Sequence, residues 1–445
     1  MKKTLIIVAV IIICVMAVFT YRIYSDGKSK DKSEAQVPVP SVKEETPSTV
    51  KDDDKAEPEK QEVKKDYDEV KMSVVGDILV HDDQLQSQID PSTGQYDFKN
   101  NFKYVKDYIE KADIAVANFE TVLAGMTKKY TGYPTFNSPD AIADALKYVG
   151  FDVLTTANNH ILDCGLQGML RTNNVLKEKG FKVLGTRENT NDKSYFIMNV
   201  NNIKLGMVNY VFESSRAGNK KSINSVPMPS GAEKLLDTFY YGAIDKDIEG
   251  MKTRVKELRE QGADMIIFYM HWGEEYQTTQ NANQKKIAQK LADIGVDVII
   301  GGHPHVLQPL DVLKGTEGNK TLVAYSTGNF LSNQCYEKLQ KREPEDGMIL
   351  NLSFKKDKLS GKVSISEVTY IPTWVHRIPT GNLFTYDIVP VADAMENKQK
   401  YGLGEGDSIW RAENSLKHTD SIIAASGDIN STVPVFKYED ANKNP

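Results

Sequence analysis

Cysteine is scarce in this chain, with three in 445 residues. Cys14 lies in an N-terminal apolar stretch, which leaves Cys164 and Cys335. Two cysteines make no disulfide framework, so free thiols are expected. Positive charge is not in excess either. Lys and Arg total 55 against 61 Asp and Glu, a formal net charge of −6, and no basic stretch stands out. This argues against a nucleic-acid partner. Between residues 25 and 66 there is no aromatic residue, and Lys, Glu, Asp, Ser and Pro dominate. Such a segment cannot bury enough apolar surface to offset its ordering entropy, so a disordered linker is expected. No internal repeat is visible.

What is present begins with an almost unbroken apolar stretch over residues 4–21, preceded by Lys2 and Lys3 and followed by Arg22. It is long enough to cross a bilayer. Its exit, Val15-Met-Ala-Val-Phe-Thr-Tyr21, is poor for signal cleavage. The reading is an uncleaved single-pass anchor over 1–24, with the rest of the chain on the outer side of the cell membrane. The linker spans 25–66, the main domain 67–380 and an extension 381–445, expected to be peripheral with its last fifteen residues frayed.

Within the main domain, helix-period segments alternate with apolar runs, the sign of βαβ units. The sharpest is 139–149, where Ala141, Ile142, Ala145, Leu146 and Val149 form one stripe. Ser138 suits the cap, Pro139 the first helical position and Gly150 the stop. Helices are also expected over 102–111, 165–179, 246–261 and 283–294. Strand-like runs at 348–354 and 362–371, joined by Lys358-Leu-Ser-Gly361, predict an antiparallel hairpin.

Histidine is rare too, yet five of the seven sit where an apolar run breaks into polar residues. The runs are Met72-Ser-Val-Val-Gly-Asp77, Ile114-Ala-Val-Ala-Asn-Phe-Glu120, Val153-Leu-Thr-Thr-Ala-Asn-Asn-His160, Met265-Ile-Ile-Phe-Tyr-Met-His-Trp-Gly273 and Val296-Asp-Val-Ile-Ile-Gly-Gly-His-Pro-His305. Ligands collect at the carboxyl ends of strands in α/β sheets, and convergent imidazole, carboxylate and carboxamide groups suit a hydrolytic metal centre. His303 and His305, at i and i+2 on extended backbone, would project to the same side. Each element has an ordinary alternative. Asn158 and Asn159 also suit a helix cap, His271 a hydrogen-bonded core position, and Asp77 and Glu120 turn formers. Glu274 and Glu275 follow His271 as further acids.

The ordered series Val75-Gly-Asp77, Ala117-Asn-Phe-Glu120, Thr156-Ala-Asn-Asn-His-Ile-Leu-Asp-Cys-Gly165, His271-Trp-Gly-Glu-Glu-Tyr276, Gly302-His-Pro-His-Val-Leu-Gln308 and Tyr325-Ser-Thr-Gly-Asn-Phe330 resembles the bacterial capsule-synthesis family, itself similar to calcineurin-like metallophosphoesterases. The resemblance covers about residues 71–354. It implies a four-layer α/β/β/α sandwich and a role in making, anchoring or releasing poly-γ-glutamate or a related capsule. It further implies one or two divalent ions (Mn, Zn or Fe). Asp77 and His305 would hold the first, Glu120 would bridge, and Asn159, His271 and His303 would hold the second. His160 would be general acid or transition-state stabiliser. His81, Asn118, Asn158, Asp163, Glu274 and Asn329 are possible supporting residues. The phosphoesterase pattern places a histidine two residues after the first aspartate, where this chain has Leu79, with His81 four residues on. Asn118-Phe-Glu120 stands where Gly-Asp is usual. The expected function is a membrane-tethered, extracytoplasmic metal-dependent hydrolase acting on a phosphoester or an anionic polymer. The alternative is a non-catalytic assembly or export subunit partnered with a polyglutamate synthase.

Overall fold

The computed structural model describes residues 66–218, 220–404 and 407–426 and the backbone of 435–437. The expected anchor, nearly all of the expected linker and most of the terminus expected to be frayed lie outside the described residues. Among those described, no helix is long and apolar enough to cross a membrane.

Two sheets carry the domain. In the first, Tyr67–Ile78 is flanked on one side by the parallel strands Ile114–Phe119, Val153–Thr155 and Lys182–Leu184. On its other side run the antiparallel strands Asp346–Asp357, Val363–Thr380 and Leu383–Pro390. The second sheet is built on four parallel strands, Ile203–Phe212, Met265–His271, Val298–Gly302 and Lys320–Thr327. Leu307–Lys314 and Phe196–Val200 add antiparallel edges.

Side-chain alternation shows how the sheets stack. Val70, Met72 and Val74 join Ile267, Tyr269, Val298 and Ile300 in one apolar layer between the sheets. Their sequence neighbours point the opposite way, as period-2 strands require. Val75 and Ile78 pack under Ala141–Val149 on the outer face of the first sheet. Ile266, Phe268 and Ile299 pack under Ile244–Glu260 and Ala282–Asp293 on the outer face of the second. The result is helix, sheet, sheet, helix. Strands buried on both faces explain the near-continuous apolar runs, each buried aliphatic side chain contributing about 1.5–3 kcal/mol.

Several boundaries differ from expectation. The helix expected over 102–111 is broken into the short turns Lys99–Phe102 and Lys106–Ile109. The helix ending at Gly150 starts at Ala141 rather than Pro139, and the Ser138 hydroxyl is bound to Thr121 instead of capping. Gly150 does end it, at φ 102°. The hairpin forms as expected, but the extension after 380 is not peripheral. Leu383–Pro390 is an edge strand with Tyr386, Ile388 and Val389 buried, and Ser408–Ala424 packs Ile422 and Ile423 into the layer between the sheets. Short apolar stretches broken by polar residues hid this packing. Cys164 and Cys335 are free thiols.

One glycine fixes the approach of two elements. A Cβ on Gly76 would lie 1.8 Å from the Gly328 carbonyl oxygen, and this closeness lets Asn329 pair beside Asp77. Gly76→Ala should therefore lower stability by about 1–3 kcal/mol or more, read as a fall in the urea midpoint. An unchanged midpoint would show that the Gly328 turn yields freely.

Candidate metal centre

Five strand ends deliver the site. Asp77 ends the central strand of the first sheet, and Asn118 and Glu120 end its parallel neighbour. Asn159 and His160 follow the short strand Val153–Thr155. From the second sheet come His271, the last residue of its strand, and the His303–His305 turn just after Gly302. Because the strands that carry these residues are parallel within each sheet, their carboxyl ends open at one edge, and all six expected ligands meet there.

The geometry is close. Asn118 Nδ2 donates to Asp77 Oδ1 at 2.7 Å and to Glu120 Oε2 at 3.0 Å. His271 Nε2 meets Asn159 Oδ1 at 2.7 Å and Glu120 Oε1 at 3.6 Å. His305 Nδ1 lies 3.1 Å from Asp77 Oδ2, and its Nε2 lies 3.7 Å from Glu120 Oε1. The backbone N–H of His303 donates to Asp77 Oδ2 at 3.2 Å. Ligand atoms of Asp77, Glu120 and His271 fall within 4.8 Å of one another, as do those of Glu120, His303 and His305. These are two triads sharing Glu120.

Electrostatics follow from burial. Glu120 is held well above its ordinary carboxyl value, first by desolvation and then by the charges of Asp77 and Glu275. His271 is held well below 6.5, and His303 is lowered to about 3, both mainly by burial. These two imidazoles are thus neutral lone-pair donors. No Lys or Arg is among the residues lining the cavity against Asp77 and His271. Glu120 Oε1 and His303 Nδ1 are buried without a hydrogen-bond partner, so the donor set suits a divalent cation.

His303 and His305 do not project from extended backbone as expected. Their φ values are 94° and 58°. The strand ends at Gly302, where a Cβ would sit 2.8 Å from Asp77 Oδ1, and the chain must turn at once. The left-handed conformation is uncommon for residues other than glycine, yet both rings still reach Glu120.

The supporting residues divide. Asp163 Oδ2 accepts from His160 Nδ1 at 2.8 Å and from the Phe136 N–H at 2.7 Å. Asn329 Oδ1 lies 3.1 Å from His305 Nδ1. Asn158 is turned to the Phe119 carbonyl, 2.8 Å away. The Asn118 oxygen accepts from Thr155 Oγ1, so Asn118 presents its NH₂ group, not a ligand oxygen, to the acids. Glu274 is exposed and in neither triad, because the chain turns outward after Gly273 at φ 90°. His81 is in neither triad as well. Sequence reasoning missed Asn209, which is buried in an apolar strand and bonds Ala157 N at 2.7 Å and Tyr269 O at 3.2 Å. A lone carboxamide inside Ile203–Phe212 was the available signal. Phe136, edge-on to His160 at 4.7 Å, had none.

The sequence model of the family described as bacterial capsule synthesis protein PGA_cap matches residues 71–334, a span that contains every residue of both triads. The chain belongs to this family. It is 29% identical over 277 residues to the capsule biosynthesis protein CapA of Bacillus anthracis, spanning 61% of each protein. It is 26% identical over 344 residues to the PGA biosynthesis protein CapA of Bacillus subtilis (strain 168), covering 72% of this chain and 83% of that one. Among solved structures, a novel phosphatase of Mycoplasma pneumoniae aligns at TM-score 0.39 and 14% identity, over 73% of this chain and 96% of that one.

The low His303 value has a consequence for stability. Unfolded, the ring protonates near 6.5; folded, it resists until about 3. Its contribution is full above 6.5 and is lost as pH falls through that window. In chelator, His303→Asn should flatten the decline of unfolding free energy between pH 6.5 and 5 by up to about 1.4 kcal/mol per pH unit. Parallel wild-type and variant curves would show that His303 is accessible to protons in the fold.

Proposed function

We propose that this protein acts in capsule synthesis as a metal-dependent hydrolase on the outer face of the cell membrane, cleaving a phosphoester or an amide of a γ-linked glutamate polymer. The observation that carries the reading is the pair of buried triads sharing Glu120, with Glu120 Oε1 and His303 Nδ1 left unpartnered. The names of the two CapA relatives supply the biological context.

Asp77, Glu120, Asn159, His271, His303 and His305 would hold one or two divalent ions, with Glu120 between the triads. A bound divalent cation supplies a water of lowered pKa and withdraws charge from a substrate oxygen. The chain's own residues do the rest. Asn118 fixes both carboxylates through its NH₂ group. Asp163 anchors His160 at Nδ1, leaving Nε2 towards the substrate. As an imidazolium paired with Asp163, the ring would give its Nε2 proton to the leaving oxygen or nitrogen as the bond to phosphorus or carbon breaks, and would regain a proton from the attacking water. Phe136 keeps water from one side of that ring.

The second reading is a non-catalytic subunit of a polyglutamate synthesis or export complex. It is favoured by one observation: neither Leu79 nor His81 supplies the histidine of the phosphoesterase pattern to a triad, which makes the Asp77 side poorer in ligands. Elemental analysis of the purified protein with a generic phosphodiester assay separates the two. Metal without turnover of any tested substrate would favour the subunit.

Replacement of two histidines tests the division of labour. His303→Ala should reduce bound metal. His160→Ala should keep its metal and lose roughly 10²–10⁴-fold in turnover. Equal metal loss in both would overturn the assignment.

The proposed tether has its own test. Were the segment between the proposed anchor and Asp66 a random coil, its some forty residues would reach about 35–40 Å, a span suited to a polymer emerging from a nearby membrane complex. Protein beginning at Asp66 should fold and keep any activity in vitro yet fail to restore capsule in a deletion strain. Full restoration would show that attachment is dispensable.

A further inference from the structure

His160 has a place in the proposed chemistry; His81 has none. It follows the strand Tyr67–Ile78 and caps the helix Asp82–Gln88. Its ring nitrogens are not equivalent. Nδ1 receives the backbone N–H of Asn333 at 3.2 Å. A main-chain N–H can only donate, so Nδ1 is the acceptor and the proton of the neutral ring belongs on Nε2. Gln84 Oε1 also lies 3.3 Å from Nδ1, but that oxygen already accepts the His81 N–H at 2.8 Å. Burial lowers the ring to about 4, so it is neutral around pH 7.

The ring is held firmly. It stands edge-on to Phe136 at 5.3 Å, the same ring that packs edge-on against His160. The Gly132 N–H binds Asp82 Oδ1 at 2.8 Å, and a Cβ there would come within 2.8 Å of the His81 Cα. Among the described residues no side chain or carbonyl takes the Nε2 proton, and His81 lines a cleft of about 430 Å³ with Asp82, Asp83, Glu275, Tyr276 and Lys338, the lysine being paired with Asp83 at 2.9 Å. Tyr276 ties this cleft to the centre, because its ring is 6.2 Å from that of His305 and its N–H is held by the Pro304 carbonyl.

We propose that His81 donates a hydrogen bond from Nε2–H to an oxygen of the oxyanion group bound beside the metal centre. His81 is then a substrate-binding residue and not the displaced metal ligand of the phosphoesterase pattern. The inference rests on the hydrolase reading above and adds the oxyanion contact to it.

The test uses the full-length protein loaded with Mn²⁺, with inorganic phosphate as the probe in isothermal titration. His81→Phe keeps the aromatic packing and removes the donor; His81→Gln replaces the donor. Both should keep wild-type metal content by elemental analysis. Phosphate affinity should fall roughly tenfold in His81→Phe, the worth of one hydrogen bond, and recover substantially in His81→Gln. Metal loss in both variants matching that of His303→Ala would make His81 a ligand and overturn the inference. So would unchanged phosphate affinity in a metal-loaded His81→Phe protein, with the hydrolase reading left standing. Wild-type protein that binds neither metal nor phosphate would remove that reading and this inference with it.

Discussion

Asp77 and Glu120 are both wholly buried, and their carboxylate oxygens join His271 in a cluster no wider than 4.8 Å. At that separation two unit charges repel by roughly 3 kcal/mol even at an effective dielectric of about 20, before any cost of removing them from water. Asn118 softens this with one NH₂ group shared between the acids. A neutral amide cannot cancel two negative charges, and burial keeps His271 and His303 uncharged. The fold therefore concentrates negative potential and lone pairs beside a cavity whose lining, among the described residues, holds no Lys or Arg. A divalent cation is the species that would resolve this arrangement.

The sandwich makes that concentration possible. Each sheet brings parallel strands to one edge, and the apolar layer between the sheets holds those edges together. Glycine permits the final approach. Gly76 lets the Gly328 turn close on the central strand, and Gly302 lets Asp77 reach under the His303 turn. The strained backbone at His303 and His305 is supported by the rigid strand before it and by the Asn329 and Asp77 contacts after it. Strain of this kind persists only where the surroundings over-determine it.

The C-terminal part is bound into the same scaffold. Arg411 on Ser408–Ala424 binds Glu345, which also accepts from Trp374 Nε1. The adjoining Pro344 carbonyl accepts from Asn329 Nδ2, whose carboxamide oxygen faces His305. The extension thus reaches the site through the residue that orients one of its histidines.

How much of this could be read from the chain follows from what each signal encodes. Apolar runs with polar breaks marked the strands and their ends, because burial on both faces demands continuity and a strand end demands a stop. The breaks named Asp77, Glu120, Asn159, His271, His303 and His305. Their convergence was arguable from parallel topology alone. Which way each group turns was not. The amide orientation of Asn118, the outward path of Glu274, the left-handed turn at His303 and the cleft-facing ring of His81 depend on contacts between residues far apart in sequence. Asn333 lies 252 positions from His81, and Asn209 lies 52 from the Ala157 it fixes. The sequence determined which residues stand at the strand ends, because periodicity is local. Only the tertiary structure decided which atoms face the centre, because those directions are set by side chains and main-chain groups that meet only when the two sheets stack.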